Sequence, residues 1–301
     1  MFAGLDRERQ GELLIFFELF IWGFFPIMTV LSYRAMPPMV SLGWSTIFAA
    51  LFFGLSISTR RTWQGIRGAM ADKDVLWATF FNGILFYVFF FWGLKFTSAG
   101  NASIVALTEI FFTALFFNLW RREYLSTAHL FGAGLMLLGA LIVLYPNRTS
   151  PHAGDIMILI AAMIAPFGNF FAQKARKKVS SETIMFVRSM IAGPAILFFA
   201  YMLGDHILLP PTGRPLILLI LNGLVILGFS KILWLEAIHR ISVIKAQALS
   251  GFSPLLTLFF AWLFLRQNPT FWQISAFLPM IIGVALLSMR RKKNEDFPIS
   301  A

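Results

Sequence analysis

Three charged residues stand in sequence that is otherwise almost wholly apolar: Glu18, Glu109 and Lys231. An ionised side chain at the centre of a bilayer costs about 2.5–3.5 kcal/mol on insertion scales, so a charge retained there faces a partner or a water-filled cavity. A carboxylate and an ammonium group together suit a zwitterion. The sharper reading has Glu109 and Lys231 lining one central cavity, Lys231 taking a ligand carboxylate and Glu109 an ammonium. The plainer one makes them a structural ion pair.

Helical spacing adds further candidates. Lys231 and Trp234 lie three residues apart on one face, Glu18 precedes Trp22 by one turn, and Asn101 shares a face with Thr108. Tyr87, Phe86 and Phe90 supply aromatic wall. Asn82 in the same segment carries an amide that needs a partner, either a ligand or a neighbouring helix. An apolar cleft with a few convergent polar groups suits a small amphipathic ligand. Packing or lipid contact is the ordinary role for each of these side chains. Glu236 and Arg240, four apart, are expected to pair. Arg188 and Lys245 are expected to snorkel from helix ends, and Gly132, Gly134 and Gly139 to allow close helix packing.

The elements that must position these groups are membrane helices. Of 301 residues, 58% are hydrophobic and 13% charged, against about 25% charged in soluble domains. Ten apolar runs, each near the ~20 residues that span the hydrocarbon core, lie near 11–31, 39–59, 75–95, 100–120, 127–145, 154–173, 183–203, 215–236, 242–265 and 270–289. The first reads as an uncleaved helix, being too long for a signal peptide. Seventeen of the 25 Lys and Arg residues fall in one alternating set of connecting segments and five in the other. The positive-inside rule then puts both termini in the cytoplasm. That asymmetry accounts for the net charge of +11 without a nucleic-acid partner. There is no cysteine, the four histidines are scattered, and no nucleotide, zinc-protease or nucleophile-elbow motif occurs. No cofactor or metal is expected, and an enzyme is disfavoured.

The chain repeats internally. Gly93 to Ile142 aligns without gaps on Ala237 to Leu286, putting Ala102 on Ala246, Thr113 on Thr257 and Gly139 on Gly283. Residues 1–147 and 148–301 are therefore read as two five-helix units. An odd number of spans per unit makes the second copy enter from the other side, as inverted repeats do in secondary transporters. Trp22-Gly23-Phe24-Phe25-Pro26 in helix 1 and Ala165-Pro166-Phe167-Gly168-Asn169 in helix 6 predict helix breaks at matching positions beside a midplane site.

This all-α plan of ten membrane helices resembles the drug/metabolite transporter superfamily and its EamA-type branch. The stretch Gly251-Phe252-Ser253-Pro254-Leu255-Leu256-Thr257, continuing through Phe264-Leu265-Arg266-Gln267 to Gly283, carries most of the likeness. The first copy has Glu109-Ile110 where a Pro is usual, and the second has Gln267 in place of Glu. Trp22 and Trp234 are similar to positions in bacterial amino-acid exporters of the YddG type, although Ala165 stands where those tend to have Trp. The resemblance implies a bacterial inner-membrane exporter of aromatic and other neutral amino acids by alternating access. The alternatives are a drug, sugar or nucleotide-type cargo on the same fold, and less favourably a lipid-modifying membrane enzyme. The implied partners are a small-molecule substrate and membrane lipid, with oligomeric state open.

Overall fold

The structure, a computed structural model, describes residues 6–60, 63–121, 127–144, 153–206, 209–238, 240–241, 246 and 249–288. Lys245, Arg122, Glu123 and Asn147-Arg148-Thr149 lie outside them. Every regular element among the described residues is helical. In lipid no water satisfies exposed backbone groups, and a helix bonds its own.

In chain order the helices are α1 (Arg7–Gly23), α2 (Phe25–Ser32), α3 (Pro38–Arg60), α4 (Ile66–Ala71), α5 (Lys73–Ala78), α6 (Phe86–Leu94), α7 (Ala99–Ala106) and α8 (Thr108–Arg121). They continue with α9 (Thr127–Leu144), α10 (Ala153–Ala175), α11 (Ser181–Met202), α12 (Arg214–Ile220), α13 (Ser230–Ile238), α14 (Ser253–Phe260) and α15 (Phe271–Ser288). Wider π-helical turns at Thr79–Leu85, Leu221–Phe229 and Ala261–Leu265 join α5 to α6, join α12 to α13 and extend α14. Among the described residues, six helical stretches are long and apolar enough to cross a membrane, and four shorter apolar helices accompany them. Their outer faces carry large apolar side chains such as Phe16, Leu55, Phe131, Phe198 and Leu278, each more than half exposed. A surface of that kind needs lipid, not water.

The local irregularities recur along the chain. The π turns at Thr79–Leu85 and Leu221–Phe229 lie in the corresponding helices of the two halves. The break at Leu107, between α7 and α8, falls 144 residues before the turn at Gly251 that precedes α14. Helix 1 breaks as its sequence predicts: α1 ends at Gly23 and α2 starts with Phe25-Pro26. The matching break in helix 6 is absent. α10 runs unbroken from Ala153 to Ala175 with Pro166 inside it. A proline removes one N–H from the ladder, and neighbouring groups in a membrane bundle can absorb that loss.

Packing is dominated by contacts between the halves, with α3 against α11 and α9 against α15 the most extensive pairs. The α9–α15 seam is reciprocal. A Cβ on Gly139 would meet Met280 and the Ala276 carbonyl, and one on Gly283 would meet Met136 and the Gly132 carbonyl. Gly132 and Gly139 thus serve close packing as expected, whereas Gly134 faces open space. Gly139→Leu is expected to lower stability by about 1–3 kcal/mol through overpacking, and Gly134→Leu to leave it unchanged. Thermal unfolding of the detergent-solubilised protein, followed by size-exclusion chromatography, compares the two.

Candidate functional site

Glu18 and Lys231 form the centre of the site, on the helix pair α1 and α13. Lys231 Nζ lies 3.7 Å from Glu18 Oε1, and the side chains are only 17% and 4% exposed. The same ammonium stands 3.3 Å from the centroid of the Trp22 ring. One turn of α1 therefore supplies Lys231 with both a carboxylate and an aromatic face, and a desolvated cation–π contact is worth about 2 kcal/mol. Behind Trp22 the ring of Phe25 stacks at 4.5 Å. Phe25 meets Phe90 at 5.2 Å and Tyr87 at 6.1 Å. Tyr87 and Phe90 are buried.

Glu109 takes a different partner. Its Oε1 accepts a hydrogen bond of 3.0 Å from Asn169 Nδ2 on α10. Asn169 Oδ1 in turn accepts one of 2.7 Å from Asn82 Nδ2. Glu109 and Lys231 are within electrostatic reach of each other, but they do not pair. Asn82 fits here because Gly168 has no side chain, since a Cβ would run into its carboxamide.

Two members of this polar centre went unrecognised in the sequence. Asn169 appeared only within a helix-breaking string, although an amide in mid-helix was the very signal that singled out Asn82. Arg188, expected to snorkel, turns inward instead. Its guanidinium carbon lies 6.0 Å from the Tyr87 ring centroid, with its stem against Gly83, and it acts electrostatically on both Tyr87 and Lys231.

Three candidates are brought elsewhere. Trp234 packs with Ile15, Leu19 and Ala237 in a separate apolar cluster. Asn101 Oδ1 accepts from Gln273 Nε2 at 2.7 Å, joining α7 to α15. Thr108 is fully buried and donates across the break at Leu107 to the Val105 carbonyl of α7, 2.7 Å away. Shared helical faces therefore did not make Trp234, Asn101 or Thr108 part of the cluster around Lys231.

The space here is uneven. Between Tyr87 and Arg188 there is a void of about 10 Å³, room for about one water. A cavity of about 400 Å³ opens at one end of the bundle between Arg60, Lys178, Ser181, Glu182, Ile232 and Glu236. Glu109 and Lys231 are not among the residues that line it. Ile232 nevertheless brings its wall to the residue next to Lys231.

At the rim of this cavity ion pairs join the halves. Arg60 Nη1 contacts Glu182 Oε1 at 2.8 Å, and Lys178 Nζ contacts Asp72 Oδ2 and Asp74 Oδ2 at 2.9 and 3.0 Å. Glu236 pairs with Arg240 at 2.6 Å, as their spacing predicts. The hydrogen bond from Lys178 holds the Asp72 carboxyl below its usual range, with a smaller contribution from the N–H groups of Asp74 and Val75 that it caps. Asp72 and Asp74 hold the Lys178 ammonium above its own. A depressed Asp contributes fully above its unfolded value of about 3.9 and loses the contribution as pH falls through the folded one. A raised Lys contributes fully below about 10.4 and loses it as pH climbs past that. The clasp is thus complete between about pH 4 and pH 10. Spin labels at Gly65 and Lys177 are expected to give one narrow distance at neutral pH. That distance broadens on acidification and, at neutral pH, in the Asp72→Asn/Asp74→Asn variant.

The pattern of the EamA-like transporter family matches the chain twice, over residues 9–145 and 152–289. The chain belongs to that family. This EamA-like protein is 22% identical to the "Uncharacterized transporter YoaV" of Bacillus subtilis (strain 168), over 89% of its own length and 90% of the relative's. It is 24% identical to the "Uncharacterized transporter YdfC" of the same organism over 76% of each chain. An "Uncharacterized transporter" of the archaeon Methanothermobacter thermautotrophicus is 28% identical over 66% of this chain and 59% of that one. A solved crystal structure superposes with a TM-score of 0.64 at 17% identity, covering 93% of this chain and 96% of the other, and it supports the fold. The EamA-like protein is a multi-pass membrane transporter with two family units, and its relatives are named as transporters.

Proposed function

We propose that this protein is a secondary transporter of the bacterial inner membrane that exports small amphipathic metabolites, with aromatic and other neutral amino acids the favoured cargo. In this reading the ten apolar helices all span the bilayer, the two five-helix units are inverted, both termini are cytoplasmic, and the units rock about the centre between α1, α6, α10 and α13. The recurrence of π turns and breaks along the two halves supports the repeat. The meeting of Arg60 with Glu182, and of Lys178 with Asp72, supports one basic, cytoplasmic end. The 400 Å³ cavity at that end is then the cytoplasmic vestibule.

The observation that carries the cargo class is the buried Glu18–Lys231 pair beneath the face of Trp22. A free carboxylate ligand can displace Glu18 from Lys231. The ligand's ammonium can go to Glu109 and its side chain to the aromatic wall of Trp22, Phe25 and Phe90. No nucleotide motif is present, so the driving force is a solute or ion gradient. Counterflow into proteoliposomes tests this. Vesicles preloaded with unlabelled phenylalanine are expected to accumulate labelled phenylalanine, and vesicles loaded with a sugar or a cationic dye are not. The opposite preference would assign the fold to another cargo.

A further inference from the structure

The hydrogen bonds from Asn82 through Asn169 to Glu109 have a direction. An ionised carboxylate has only acceptors. While Glu109 is charged, Asn169 must present its NH₂ to it, leaving its Oδ1 for Asn82. Asn82 must then present its own NH₂ to Asn169. The far end is Asn82 Oδ1, which is buried and has no hydrogen-bond partner. A buried acceptor without a partner costs about 1–3 kcal/mol, so this atom favours an N–H or O–H donor seated against it. A protonated Glu109 can instead donate to Asn169, and both amides are then free to turn over. That would point the NH₂ of Asn82 at the same seat.

The surroundings single out Glu109 for this exchange. Glu18 is neutralised by Lys231 at 3.7 Å, whereas among the described residues no cation lies within 4 Å of Glu109. Lys231 from α13 and Tyr87 from α6 feel its charge at longer range, and Arg188 and Glu18 act on the same Tyr87. Of the helices packed on α8, α10 bears Asp155, bonded to Thr97, and Lys174, set over the Phe170 ring. The α7 segment has no titratable residue, and α9 contributes His129.

We propose that Asn82 is a second ligand subsite, for an ammonium or other N–H donor, whose polarity is set by the protonation state of Glu109 through Asn169. Proton uptake at Glu109 thereby opposes ligand binding at Asn82. The idea extends the carrier reading above, but its first test does not depend on it. Infrared difference spectra of the protein in detergent, without ligand, are recorded as pH is stepped across the range in which it stays folded. A protonated-carboxyl band absent from Glu109→Gln is expected, rising together with a shift of the side-chain amide band that Asn169→Leu removes. No such carboxyl band, or an amide band that ignores it, overturns the proposal.

The second test is phenylalanine binding. In the wild type the affinity should fall about tenfold per pH unit once Glu109 takes up its proton, the slope of one linked proton. In Asn169→Leu the total fall in affinity should shrink to the part that Glu109's own contact with the ammonium carries, while the carboxyl band still titrates. A total fall as large as in the wild type would refute the relay. Absent phenylalanine binding with an intact infrared response would refute the cargo reading alone. Asn82→Leu, which removes the acceptor but leaves the Glu109–Asn169 bond, provides a second variant should Asn169→Leu fail to fold.

Discussion

Lys231→Met is expected to abolish phenylalanine counterflow and to destabilise the protein. The substitution leaves Glu18 buried with no counter-charge, and breaking a buried pair by removing one partner costs about 3–5 kcal/mol. The cation above Trp22 is lost with it. The double variant Glu18→Gln/Lys231→Met separates the two consequences. It removes both charges, so thermal stability should return to within about 1 kcal/mol of wild type, because replacing a buried pair is often neutral. Transport should not return, since a carboxylate ligand then has no cation to meet. A charge-assisted hydrogen bond is worth about 1.5–3 kcal/mol, a loss of roughly 10- to 150-fold in affinity. Wild-type counterflow in the double variant would make the pair purely structural.

Substituting Glu109 should divide differently. Glu109→Ala leaves the Asn169 amide without its acceptor, costing about 1–3 kcal/mol in stability, and it removes the group assigned to the ligand's ammonium. Counterflow of phenylalanine is expected to fall at least about tenfold. Glu109→Gln keeps an acceptor for Asn169, so it should fold like the wild type and yet bind phenylalanine as weakly as Glu109→Ala. Competition by 3-phenylpropionate, which lacks the ammonium, should be equal in wild type and Glu109→Gln. A parallel loss of both ligands would assign Glu109 to packing.

Glu18 and Lys231 were legible because charges are rare in such apolar sequence, and helical spacing placed Trp22 one turn after Glu18. Which helix Lys231 faces was not legible. Periodicity fixes the face of a helix and leaves its neighbour open, so Lys231 was read beside Glu109, whereas it meets Glu18. The same gap explains Trp234, Asn101 and Thr108, whose polar or aromatic groups are engaged by Ile15 and Leu19, by Gln273, and by a backbone carbonyl. Arg188 was misplaced because its distance from a helix end says nothing of the tyrosine across the bundle. The repeat was visible as an offset of 144 residues, and the offset carries into backbone geometry at Leu107 and Gly251. The π turns were invisible in the sequence, since the residues of Thr79–Leu85 and Leu221–Phe229 are ordinary membrane-helix formers and tertiary packing decides where a turn widens.

The natural chain contains no cysteine, so a single introduced thiol reports its own side of the membrane without background. Ser126→Cys, between the fourth and fifth spans, and Asn268→Cys, between the ninth and tenth, lie in corresponding loops of the two halves. In intact cells a membrane-impermeant maleimide should label Asn268→Cys and spare Ser126→Cys until the membrane is opened. Labelling of both from the same side would mean that the halves are parallel, and a carrier built on inverted units would be contradicted.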